Sequence, residues 1–165
     1  QKFPEIKFSS WSNEQLTEFY HHIPFHFIAF VYTEKELMVY LKELLESKGF
    51  NVYENPLKRE AEKFISRKKN TVILRPVIIS RGKIGEYYSR IEKILVDLYI
   101  ERQKLNLIDE EEYERILKEV LTNYRVDIAE VLDYAHNRKL KKNIDKLLQA
   151  LNIIPMRHYV EKSQK

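Results

Sequence analysis

The sequence contains no cysteine, which excludes disulfides, thiolate zinc sites and cysteine nucleophiles together. Glycine is nearly as scarce: Gly49, Gly82 and Gly85 are the only ones in 165 residues. The nearest approach to a phosphate-cradling loop, Gly82-Lys83-Ile84-Gly85, lacks the spacing and the Ser/Thr of a P-loop. No apolar run is long enough to read as a membrane span, and no basic-then-apolar start reads as a signal peptide. The expected location is the cytoplasm, with no membrane partner. No serine sits in a nucleophile elbow. His21, His22 and His26 lie close in sequence, but His21 and His22 would point about 100° apart on a helix, and no acid between residues 19 and 33 completes a metal site. Glu5 and Lys7 share one strand face without the second acid that a nuclease needs to hold a divalent ion. Neither metal, cofactor nor catalytic residue is expected.

What is present describes a folded domain. The chain is 44% hydrophobic and 33% charged, enough to bury one real core. Charge is blocked: residues 1–55 and 97–133 are acidic, whereas residues 56–93 and 136–165 are basic. Solvated helix faces give such blocks; an anion-binding surface is the sharper reading.

Hydrophobic periodicity orders the elements. Glu5 to Ser10 alternates Ile6 and Phe8 against Lys7 and Ser9, a half-buried strand. Ser12 with Gln15 caps a helix carrying Leu16, Phe19, Tyr20 and Ile23, which Pro24 ends. Phe25 to Tyr32 reads as a central strand. Thr33 with Glu36 caps a helix lined by Leu37, Leu41, Leu44 and Leu45, and Gly49 is its C′ residue. Phe50 to Tyr53 is a short strand. Asn55 and Pro56 start a helix to about Arg67 with Leu57, Ala61, Phe64 and Ile65 inward. Thr71 to Ile79 is an apolar strand interrupted by Arg75 and Pro76, so edge or kinked. Arg81 to Tyr88 is a loop.

Ser89, boxed with Glu92, opens the helix at 90–103. Ile91, Ile94, Leu95 and Leu98 form a stripe, and Val96, Tyr99 and Ile100 add apolar groups outside it, so this helix is central and buried. Asp97 is the one acid within that apolar run, expected to be paired or peripheral. Three more helices follow, one capped by Asp109 with Glu112, one capped by Asp127 with Glu130, and a third from about Arg138 to Leu151. The fold class is α/β: a layered sandwich with a small mixed sheet of about four strands and a helical C-terminal subdomain. The division is a core at 1–104, helices at 105–152 packed on it, and a tail at 153–165.

Two basic clusters are candidate anion- or partner-binding surfaces: Lys58, Arg59, Lys63, Arg67 and Lys68 on one helix face, and Arg138, Lys139, Lys141 and Lys142 further on. Such clusters hold phosphates without reading sequence.

In order, several stretches resemble the C-terminal domain of the AbiEi-type antitoxins of prokaryotic type IV toxin–antitoxin systems, which act in abortive infection and phage defence. They are Trp11 to Phe19, Phe27 to Tyr32 with the Leu37 to Leu45 helix, Val52 to Pro56, Ile73 to Ser80, Ile91 to Leu98, and Tyr124 to Ala135 with the basic Asn137-Arg138-Lys139. Ile91 to Leu98 is the strongest, with Glu92, Lys93, Leu95 and Asp97 as its core. Ser89 departs from the proline usual there. The resemblance implies a non-enzymatic antitoxin domain that neutralises a cognate nucleotidyltransferase-like toxin without a tight complex. It also implies that the family's N-terminal winged-helix domain is not part of this chain. The alternatives are a basic nucleic-acid-binding module without a toxin and a nuclease-like enzyme.

Overall fold

The computed structural model describes residues 6–22, 27–60, 70–77 and 87–153. Four strands form one mixed sheet: β1 (Phe8–Ser12), β2 (Ile28–Thr33), β3 (Asn51–Glu54) and β4 (Thr71–Pro76), in the order β1-β2-β4-β3. β1 runs antiparallel to β2, while β2, β4 and β3 run parallel. The helices are α1 (Met38–Ser47), α2 (Ile91–Leu105), α3 (Glu110–Asn123), α4 (Ile128–Asn137) and α5 (Lys141–Ala150). The α/β class and the small mixed sheet agree with the sequence reading.

Strand alternation divides the core between the two faces of the sheet. On one face Met38 and Leu41 of α1 pack on Val52, Val72 and Leu74. On the other, Trp11, Phe30 and Ile73 meet α2, α3, α4 and α5 through Leu95, Leu98, Tyr113, Ile116, Val131 and Ile144. Trp11 stacks on Phe30 with ring centroids 4.4 Å apart. One cluster joins the strands to every C-terminal helix, so those helices share the sheet's core.

The central helix is confirmed, and its start is corrected. Arg90, not Ser89, is the N-cap of α2, and no side chain caps it. Ser89 is held at the sheet edge, where its N–H donates to the Ser10 carbonyl at 2.8 Å. Glu92 instead accepts from the Asp127 N–H at 3.1 Å. Thr33 likewise ends β2 and donates to the Lys7 carbonyl, and Glu34 takes the N-cap position of the short 3-10 turn before α1 without a side-chain bond. Met38 is buried with Leu41 on the core face of α1, whereas Leu44, expected there, is exposed.

β1 buries the opposite parity from the one expected: Trp11 is in the core, whereas Phe8 is only half-buried. The large indole displaces the register set by Ile6 and Phe8. β4 is interior, not an edge, because Pro76 is its last residue, where a missing N–H breaks little of the ladder. Asn55 adopts a left-handed conformation, with φ 42°, and does not N-cap a helix. The helical stretch there begins at residue 58, and Leu57 is exposed. The caps at Ser12, Asp109 and Asp127 form as read, the first opening a 3-10 helix at Asn13–Phe19. The expectations for Ile23, Pro24, Ala61, Phe64, Ile65 and the tail fall outside the described residues.

Candidate functional site

The inner face of the sheet carries one polar row beside an apolar one. Ser9 of β1 pairs in register with Tyr32 of β2, which pairs with Arg75 of β4. Paired residues share a face, so these three side chains line up across three strands. They lie at the carboxyl ends of β2 and β4, one step beyond the row of Trp11, Phe30 and Ile73.

Helix α2 crosses this row. Lys93, Asp97 and Glu101 recur every four residues and so form one stripe. Lys93 Nζ donates to Ser9 Oγ at 2.8 Å. Glu101, fully buried, accepts two parallel bonds from Arg75, Nε to Oε1 at 2.9 Å and Nη2 to Oε2 at 2.6 Å. Arg75 also donates to Asn55 Oδ1 and to the Pro56 carbonyl. That explains the polar break within an apolar strand: Arg75 ties β4, the turn after β3 and α2 together.

Asp97 occupies the middle of the stripe and is fully buried. Its Oδ1 accepts from the Tyr134 hydroxyl at 2.9 Å and lies 3.4 Å from Arg138 Nη1. Arg138 donates to the Tyr134 hydroxyl as well, at 3.3 Å. Asp97 Oδ2, the Tyr32 hydroxyl and Trp11 Nε1 are buried without a partner among the described residues. Lys93 Nζ sits 4.8 Å from the Tyr32 ring and 5.7 Å from that of Tyr134, within cation–π range.

Burial pushes the Asp97 carboxyl up to about 6, against the pull of Arg138, Lys93 and the Tyr134 bond. Burial also lowers Lys93. Arg138 is held above its ordinary value because Asp97 and the tyrosines outweigh its desolvation. A charged group kept where ionisation is unfavourable is a mark of a functional or specifying position.

The sequence expected Arg138 at the surface with its neighbours. Instead its side chain is 8% exposed and turned inward. Sequence reading also missed the seam as a unit, although its signals were present: the Lys93–Asp97–Glu101 spacing, and Tyr134 four residues before Arg138. Leu95, on the same helix, is fully buried within the apolar core.

Lys58, Arg59, Lys139, Lys141 and Lys142 are exposed, and none pairs with a carboxylate among the described residues. Lys63, Arg67 and Lys68 lie outside the described residues. The α4–α5 turn places Lys139 at φ 60°, closing α4 with N–H bonds from Lys139 to His136 and from Leu140 to Ala135. The other non-glycine left-handed residues among the described residues are Asn55, Asn70, Asn106 and Asn152. Asparagine tolerates that conformation; lysine gains nothing from it. Lys141 and Lys142 then open α5, whose N-cap Leu140 offers no side-chain bond. Cations there oppose the helix dipole. Local preferences are thus set aside at Lys139 by its backbone conformation and at Lys141 and Lys142 by the helix dipole.

Elsewhere, an open groove of about 640 Å³ beside Arg90 and Arg125 is lined by Glu92, Asp127 and Glu130. Its carboxylates already serve the start of α4 and Arg90. His21 and His22 contact each other at 3.1 Å. Among the described residues no cluster of three His, Cys, Asp or Glu is placed to hold a metal, and no helix is long and apolar enough to cross a membrane.

No curated protein and no solved structure matches the chain. Residues 1–154 match a family of unknown function, DUF6577, and the chain belongs to that family.

Proposed function

We propose that the protein is a non-enzymatic antitoxin domain of AbiEi-like character that antagonises a nucleotidyltransferase-like toxin in the cytoplasm. The ordered resemblance of residues 8–150 motivates this reading. One observation carries its contact-based side: Lys139, Lys141 and Lys142 stay exposed and free of carboxylates, Lys139 in a backbone conformation that disfavours it and Lys141 and Lys142 at a helix start whose dipole opposes them. Residues kept against local preference are expected where function demands them. In the same motif-bearing region Lys93 and Asp97 are committed to the sheet–helix seam, which leaves the exposed lysines for a partner.

Co-expression with a nucleotidyltransferase encoded beside the gene tests the reading. Restored growth is the expected result, and growth arrest that persists at equal expression would refute it. The basic corner also favours the second reading, a nucleic-acid-binding module without a toxin. That reading gains if rescue fails while salt-sensitive nucleic-acid binding remains. Nucleic-acid cleavage with magnesium that is lost in Asp97→Asn would instead support the nuclease-like alternative.

A further inference from the structure

The corner between α4 and α5 holds four cations within five residues, but they do not point the same way. Lys139, Lys141 and Lys142 face solvent. Arg138 faces inward, with only Asp97 as a carboxylate within 4 Å among the described residues. That contact, at 3.4 Å, is longer than a well-formed charge-assisted hydrogen bond. Asp97 itself is half-satisfied, since Oδ2 has no partner among the described residues. Arg138 is therefore latched to the interior by a long contact to a buried carboxylate, a 3.3 Å bond to the Tyr134 hydroxyl, and its place 5.8 Å from the Tyr134 ring and 6.0 Å from that of Tyr32.

We propose that the α4–α5 corner docks the phosphodiester backbone of a nucleic acid, and that the Asp97–Tyr134–Arg138 contact decides whether Arg138 joins Lys139, Lys141 and Lys142 in that docking. The inference rests on the contact role assigned above to the exposed lysines and adds its ligand and its control. A neutral Asp97 no longer offsets Arg138, and an unpaired buried guanidinium is costly. Released, Arg138 needs to move only from the base of the corner to its rim, because it immediately precedes Lys139. By reciprocity, a backbone phosphate that binds the released form promotes proton uptake at Asp97.

The groups acting on Asp97 are accounted for on each element. Lys93, Glu101 and Lys104 act from α2, Tyr32 from β2, Tyr134 from α4 and Arg138 from the residue that follows α4. Burial places its titration at about 6. His136, exposed on the last turn of α4, is a second titratable group near the corner and is removed by His136→Gln in every arm of the test.

The test uses the full chain and a short fluorescein-labelled oligonucleotide, single- and double-stranded in separate arms, at about pH 5.5 and 7.5. One added phosphate contact changes affinity by about fivefold to tenfold at roughly 50 mM salt. The His136→Gln protein should bind tighter at the lower pH by that factor. Adding Asp97→Asn should hold affinity near the higher level at both pH values. Adding Arg138→Gln should also bring the ratio close to one, at the weaker level; this arm serves if the Asp97 variant folds poorly. An undiminished pH ratio in both variants overturns the latch while leaving the docking surface in place. Full affinity in a Lys139→Glu, Lys141→Glu, Lys142→Glu protein overturns the docking surface itself.

Discussion

Arg75 and Glu101 meet across the sheet–helix interface in a two-pronged ion pair, both side chains almost wholly withdrawn from solvent. The pair fixes where α2 lies on β4, and the guanidinium's remaining donors fix the turn after β3 through Asn55 and Pro56. Removing one member strands the other. Glu101→Leu is expected to destabilise by about 3–5 kcal/mol in urea unfolding. Arg75→Met combined with Glu101→Leu should recover at least half of that loss. A double variant as unstable as the single one would mean that the bonds to Asn55 and Pro56, not the ion pair, are what matter.

Leu95 tests the apolar half of the same helix. It is fully buried and packs within the cluster that joins the sheet to α3, α4 and α5. Leu95→Ala should cost about 2–5 kcal/mol, by lost burial and the cavity left behind. A loss below about 1 kcal/mol would make α2 peripheral.

The centrality of α2 was readable in the sequence because apolar residues occur on several of its faces. So was the class of fold, because strands and helices alternate before a helical run. Three capping residues, Ser12, Asp109 and Asp127, were legible because capping is local chemistry. Most of the misreadings share one cause: a tertiary partner claimed the residue's backbone or side chain. Ser89 and Glu92 match a capping box, yet β1 holds Ser89 and Asp127 takes Glu92. Asn55 matches an N-cap, yet its side chain accepts from Arg75. Arg138 matches a basic surface run, yet it turns to Asp97. Pro76 and Arg75 look like interruptions, but one ends the strand and the other faces a glutamate 26 residues away.

Asp97 should give stability an inverted pH dependence in the weakly acidic range. Its folded value, about 6, lies above the ordinary 3.8. Between those values the folded state holds more protons, so stability falls as pH rises through 6. Ionisation is expected to cost on the order of 2–3 kcal/mol by neutral pH. Urea midpoints near pH 5 and pH 7.5 should differ in the wild type by more than in Asp97→Asn. An identical difference in both would show that the carboxyl's burial carries no such penalty.

Lys139 should be replaceable with a gain in stability. At φ 60° a side chain is strained and glycine is not. Lys139→Gly is expected to stabilise by about 1 kcal/mol in thermal or urea unfolding, while weakening nucleic-acid binding. Lower stability would indicate that the lysine makes a favourable contact, and the argument for its retention by function would fail.

The most direct measurement is the salt dependence of oligonucleotide affinity for the wild type and for Lys139→Glu, Lys141→Glu, Lys142→Glu. Three exposed side chains lie outside the core, so the variant should fold with nearly unchanged unfolding midpoints. If these lysines contact backbone phosphates, the log–log salt slope on a single strand should flatten by about 2. Equal slopes and equal affinities would show instead that the corner is only a solvated charged face.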